Sequence, residues 1–210
     1  MADWATISAL ATAGGTLALA GATYASVRSG NRSARVAEQA LQEQRRPVLV
    51  NSRTEDRAET VTFRGDHRVS VPGGGAVVEA ADDAVYLALG VRNVGAGIAV
   101  LQAWHPDEVL LGPDAPHPDV DGFRPLRRDQ YIASGDVGVW QGAVRDSADP
   151  LHGTLTAAAT ERHSFSVYLL YTDQVGGQRT ISGFGVLPAE EGGWLAAVGR
   201  HWYLDAIAPR

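Results

Sequence analysis

Two hydrophobic patterns meet at Pro47. Ahead of it, from Trp4 to Val27, no residue is charged, and small residues recur every fourth position: Gly14, Ala18 and Ala22, then Ala11 and Gly15, then Gly21 and Ala25. The run predicts a helix, and small residues at i, i+4 let helix backbones approach closely in lipid. Trp4 and Tyr24 stand about 30 Å apart along such a helix, close to the hydrocarbon thickness of a bilayer. Aromatics near both ends suit the two interfaces, and the arginines that follow predict an N-out, C-in orientation.

The segment is weakly apolar. Its large aliphatics are Ile7, Leu10, Leu17, Leu19 and Val27, set against Gly14, Gly15, Gly21 and six Ser/Thr, so insertion of this helix alone is marginal. Two other readings stay open. Ala18-Leu19-Ala20 and Ala20-Gly21-Ala22 resemble signal cleavage sites, although the leading region carries Asp3 where a signal peptide is basic. A buried soluble helix is the second. From Arg32 the residues again favour helix until Pro47, with Gly30-Asn31 as the expected hinge. Arg28, Arg32 and Arg35 would meet anionic headgroups, each contributing about 1 kcal/mol.

Beyond Pro47 the period drops towards two. Val48–Val50 opens a strand. Glu59–Arg64 and His67–Val71 flank Gly65-Asp66, a hairpin signal. Ala76–Ala80 follows three glycines. Val85, Leu87, Leu89 and Val91 alternate with Tyr86, Ala88, Gly90 and Arg92, which predicts a half-buried strand. Asn93–Gly97 reads as a turn with glycines at positive φ, and Ile98–Trp104 returns from it. Gln130–Ala133, Val137–Trp140, Ser164–Thr172, Gln178–Leu187 and Trp194–Tyr203 are further strands. Leu111–Pro125 and Arg145–Gly153 are expected as exposed loops. The predicted fold is mainly β: an antiparallel, Ig-like β-sandwich over 47–210, preceded by a transmembrane helix over 1–27 and a basic juxtamembrane helix over 28–46.

Charge follows the same division. Residues 28–46 carry five Arg against two Glu, whereas 47–210 carry 13 Arg against 21 Asp/Glu, within a chain of net charge −6. All 18 basic residues are arginine, and there is no cysteine. These absences exclude disulfides, thiolate metal sites, thiol nucleophiles, Schiff-base lysines and a P-loop lysine. An acidic β region disfavours nucleic acid as a partner.

Several residues carry a family resemblance. They are Val91–Ala99 (VRNVGAGIA), Trp140-Gln141-Gly142, Arg145-Asp146, Tyr171-Thr172-Asp173, Gly176–Arg179 and Arg200-His201-Trp202, together with the SVRSGNRSARVAEQ stretch of the helix. With these the chain resembles a group of actinobacterial, Streptomyces-like membrane-anchored β-sandwich proteins with no assigned activity. The resemblance implies fold and membrane location and carries over no catalytic residue.

Candidate chemistry is thin. No G-x-S-x-G, H-E-x-x-H or P-loop pattern occurs. Asp114, His117, Asp119 and Asp121 form the most metal-like cluster, but without EF-hand spacing, so a solvated acidic loop is expected and no metal or cofactor. His105 and Asp107, with Arg124, Arg127 and Arg128, make the candidate ligand or partner surface. Trp104, Trp140, Trp194 and Trp202 are expected as core anchors. The reading is a single-pass membrane-anchored binding or scaffolding module without catalysis. It would contact lipid through Arg28, Arg32 and Arg35, and a protein partner or a second copy through Gly14, Ala18 and Ala22. The β domain would be cytoplasmic. The alternatives are an extracellular ligand-binding domain after signal cleavage, or a hydrolase with a site in loops 105–129 and 145–163.

Overall fold

A computed structural model describes residues 3–112, 114–190 and 192–205. Met1, Ala2, Pro113, Glu191 and the last five residues lie outside it, so the ends of the expected 1–27 and 47–210 segments and one position of the Leu111–Pro125 loop are not described. The chain forms two compact units, Met1–Gln44 and Arg45–Arg210.

The first unit is one continuous helix, α1 (Trp4–Gln44). Gly30-Asn31 lies inside it without interrupting it, so the expected hinge between two helices does not form. Neither residue is proline, and helical residues on both sides carry the hydrogen-bond ladder through. Apolar side chains stand exposed along α1, among them Trp4, Leu10, Leu17, Leu19, Tyr24, Val27 and Val36. Among the described residues no helix is long and apolar enough to cross a membrane. The stretch expected to span a bilayer falls short in apolarity, because glycine and threonine dilute its aliphatic content.

The second unit is built on nine strands that hydrogen-bond as one antiparallel sheet, curled into a half-barrel. The strands are β1 (Leu49–Asn51), β4 (Gly75–Ala81), β5 (Ala84–Asn93), β6 (Ala99–Asp107), β7 (Arg124–Ile132), β8 (Val137–Val144), β9 (Phe165–Thr172), β10 (Thr180–Pro188) and β11 (Trp194–Tyr203); β2 (Glu59–Thr62) and β3 (Arg68–Val71) form a separate hairpin. The order runs β8-β5-β4-β11-β10-β9-β6-β7. β1 takes the part of the β5 edge that β4 leaves free, pairing Leu49–Asn51 with Asn93–Val91. The two facing sheets of an Ig-like sandwich are replaced by one sheet whose inner face supplies the core. Val85, Leu87, Leu89, Leu101, Trp104, Trp140, Phe165, Leu169 and Phe184 meet there.

The other face is covered in two places, which explains why β5 is buried on both sides rather than half-buried. Phe63, Val69 and Val71 of the β2–β3 hairpin pack on Ala84, Tyr86 and Ala88. Leu111, Val120 and Phe123 of the β6–β7 connection pack on Tyr168, Leu170 and Ile181. That connection is therefore partly buried rather than a free loop. The segment expected as a second loop instead starts a helix, α2 (Pro150–Glu161), which sends Leu155 and Ala158 into the inner core. Asp149 caps it, accepting from the Leu151 N–H at 3.0 Å, and Pro150 opens its first turn.

Asn93 and the turn after it fasten the end of the sheet. The fully buried Asn93 amide accepts from the Val48 and Gly95 N–H groups and donates to the Gly97 and Ile132 carbonyls. Gly95 and Gly97 are not at positive φ, contrary to expectation. A Cβ on either would overlap the backbone carbonyls of Arg46 and Arg45, so close approach is what requires glycine.

Candidate functional site

β7 and β8 follow one another in sequence yet share no hydrogen-bond ladder. Each has one paired neighbour, β6 and β5 respectively, so their other edges face an open seam in the curled sheet. The β6–β7 ladder is interrupted beside the seam. Gln130 pairs with Leu101 and Pro125 with Ala103, so Leu126–Asp129 on β7 oppose the single residue Gln102. Bulges of this kind re-aim side chains and end pairing.

A cavity of about 440 Å³ occupies the seam. Trp104 and Leu126 give it an apolar lining, and Arg64, Arg127, Arg128 and Arg145 give it positive charge. Arg127 and Arg128 are exposed. Among the described residues Arg64, Arg127 and Arg128 make no ion pair, while Arg145 lies over the Tyr86 ring, 5.5 Å from its centroid. Gln130 and Gln141 also line the cavity, and each has a buried side-chain oxygen without a hydrogen-bond partner, at a cost of about 1–3 kcal/mol.

The surface residues expected from sequence divide. Arg127 and Arg128 belong to the seam. Arg124 does not: both its terminal nitrogens bind the Asp149 carboxylate, at 2.6 and 2.8 Å, and its guanidinium sits over Trp104. This pair holds the Asp149 carboxyl below its usual value, against the opposing effect of burial. His105 places Nδ1 3.0 Å from the Gly122 carbonyl and packs its ring near Phe123 and Tyr168. Asp107 accepts from the Val109 N–H. Neither residue lines the seam cavity.

Of the acidic cluster, Asp119 caps the short 3-10 turn Val120–Gly122 and His117 lies against the Pro118 carbonyl. Among the described residues no three potential ligands converge on a metal position. Gly14, Ala18 and Ala22 lie exposed along α1, as do Arg28, Arg32 and Arg35. Trp104, Trp140 and Trp194 are buried in the inner core, whereas Trp202 packs from the other face.

Sequence reasoning missed Gln130, Gln141 and Arg64. Their types are ordinary, and only the unclosed sheet brings them together. It also missed a buried polar chain. The Leu49 N–H donates to the Tyr171 hydroxyl, which lies 2.9 Å from the Ser182 hydroxyl, itself 2.7 Å from His201 Nδ1. Ser182 is fully buried.

No family model matches this sequence, and none of the curated proteins matches it.

Proposed function

We propose that the protein is a membrane-tethered binding module. In this reading α1 seats its uncharged stretch among other helices at a bilayer, and the β unit holds a ligand at its open seam on the cytoplasmic side. The observation that carries the reading is α1 itself: forty-one helical residues, exposed along their length and uncharged from Trp4 to Val27, followed by Arg28, Arg32 and Arg35.

The polarity of that stretch is largely satisfied within the helix. The hydroxyls of Thr12, Thr16 and Thr23 each donate to the carbonyl four residues back, at 2.8–2.9 Å. A hydroxyl bonded in this way costs less in an apolar environment than a free one. Because no described helix crosses a membrane alone, the tether needs helix partners, and Gly14, Ala18 and Ala22 allow close approach. The reading is of binding rather than turnover. The seam presents guanidinium and carboxamide groups, which hold anions and amides but do not shuttle protons at neutral pH.

The test uses the full chain. After carbonate washing of membranes from expressing cells, the protein should remain in the floating fraction, and recovery in the soluble fraction would overturn the tether. The Gly14→Leu/Ala18→Leu variant should lose its cross-linked ladder in membranes, while an unchanged ladder would refute pairing through this face. The chain has no native cysteine, so Ser134→Cys is a unique label. An impermeant thiol reagent should label it only after lysis, and labelling of intact cells would reverse the orientation.

A further inference from the structure

We propose that the seam is a strand-docking site: an extended acidic peptide segment adds to the free edge of β8 and lays its carboxylates on Arg64, Arg127, Arg128 and Arg145. The proposal rests on the reading of the β unit as a binding module and names the ligand class of that module.

Three observations converge on an extended segment. First, β8 is eight residues long and paired only with β5, and its residues Gln141, Gly142 and Ala143 line the cavity. On such an edge alternate residues turn their backbone N–H and C=O groups outward, a template that an added strand completes. Second, the β7 residues Leu126–Asp129 are out of the β6 ladder and line the cavity, and no ladder between β7 and β8 closes the barrel there. Third, Gln130 and Gln141 line the cavity, and their side chains carry the carboxamide chemistry that pairs with a peptide backbone.

Charge selects an acidic sequence. Residues 47–210 are acidic, yet four arginines gather at this one place against the single carboxylate of Asp129, three of the arginines without an ion-pair partner among the described residues. Guanidinium groups bind carboxylates in two-pronged fashion, and side chains of an added strand alternate sides. Acidic residues at every second position therefore reach the arginines while the others face Trp104 and Leu126. The competing account is that arginines guard a free strand edge against pairing with other chains. That account predicts no acidic ligand.

The probe is a terminally blocked ten-residue peptide of alternating Glu and Thr, titrated into the full-length protein at low salt and followed by calorimetry. Binding is expected, weakening as salt is raised. A peptide N-methylated at alternate backbone nitrogens should bind at least tenfold more weakly, because it loses the donors that build a ladder. Arg127→Glu/Arg128→Glu should also weaken binding at least tenfold without shifting the thermal midpoint, since both side chains are exposed. If that variant misfolds, Arg127→Gln/Arg128→Gln gives the same reading with a smaller change of charge. Equal binding of the N-methylated peptide, or displacement by citrate, would make the seam a pocket for small anions; strand docking would be overturned and the module reading would survive. If neither peptide nor citrate binds, strand docking falls together with the seam as a ligand site, while the flotation result for α1 stands on its own.

Discussion

Asn93 makes four hydrogen bonds from a side chain with no exposed surface, and they join β1, the turn after β5 and the end of β7. Removing such a hub leaves several buried backbone groups unpaired, each costing about 1–3 kcal/mol. Asn93→Ala should lower unfolding stability by about 3 kcal/mol or more, read from the urea midpoint. Gly97→Ala should cost about as much for a different reason, since its methyl group meets the Arg45 carbonyl. The Asn-x-Gly-x-Gly pattern was legible in the sequence as a turn. The reason for its glycines was not, because the backbone they admit arrives from about fifty residues upstream. The Tyr171–Ser182–His201 chain adds a titration. Burial pushes the Tyr171 hydroxyl up to about 12, with its hydrogen bonds to Ser182 and Leu49 opposing, and burial also holds His201 below its usual value. The chain from Leu49 through Tyr171 and Ser182 ends at His201 Nδ1, where burial disfavours the charged imidazole. An unfolded histidine takes a proton near pH 6.5 that the folded one refuses, so stability falls as pH drops through that range and holds steady above it. His201→Gln should flatten the dependence of the urea midpoint between pH 7.5 and 5.5. An equally steep profile in the variant would assign the effect to other groups.

Among the elements, α2 shows what local signals reveal and what they miss. Asp149-Pro150 is a helix-start signature, and it stood within a stretch otherwise read as loop. The helix stays because Leu155 and Ala158 plug the inner face of the sheet and because Arg124 of β7 clamps the cap. Asp149→Ala removes the cap and strands Arg124 at once, and should cost more than the roughly 1–2 kcal/mol of a lost cap alone. Asp149→Asn keeps a capping oxygen and loses only the charge, so it should recover part of that loss. Guanidinium-chloride unfolding of the two variants separates cap from ion pair. The stabilising contribution of this carboxylate is present above its unfolded value near pH 4 and is lost as pH falls below it, because Arg124 holds the folded carboxyl lower. Strands were the most legible elements: Trp194–Tyr203 has the predicted bounds, and the hairpin around Gly65-Asp66 forms. Their partners were not legible. Alternation reports that one face is apolar but not which distant segment covers the other, and so the hairpin over β5 and the curl of the sheet escaped prediction. The seam escaped for the same reason. Arg127 and Arg128 were visible as a basic pair, but the neighbours that give them a cavity come from β8 and the β2–β3 hairpin.

For the whole molecule, the division between an exposed helix and a compact β unit predicts where the chain first opens. A helix without tertiary packing is held by propensity and its own hydrogen bonds, so it opens locally at small free-energy cost, whereas the strands share one core. The chain has no lysine, which makes trypsin an arginine-specific probe, and the helix carries Arg28, Arg32 and Arg35 with Arg45 just beyond it. Limited trypsin digestion of the full protein should cut first after these four, leaving a fragment that begins at Arg46, because Pro47 blocks the next bond. Mass spectrometry of the early products reads this directly. Cuts after Arg92 or Arg179 at comparable rates would show that the β unit is not the more resistant part. Both arginines are held by a carboxylate, from Asp56 and Asp205 respectively, so slow cutting there is the direct consequence of the fold. Repeating the digestion on washed membranes adds the tether to the same measurement. If α1 lodges among other helices, the site after Arg28 should slow most, since it directly follows the uncharged stretch, and the site after Arg45 should slow least. Uniform rates at all four sites would leave α1 in water and refute the tether.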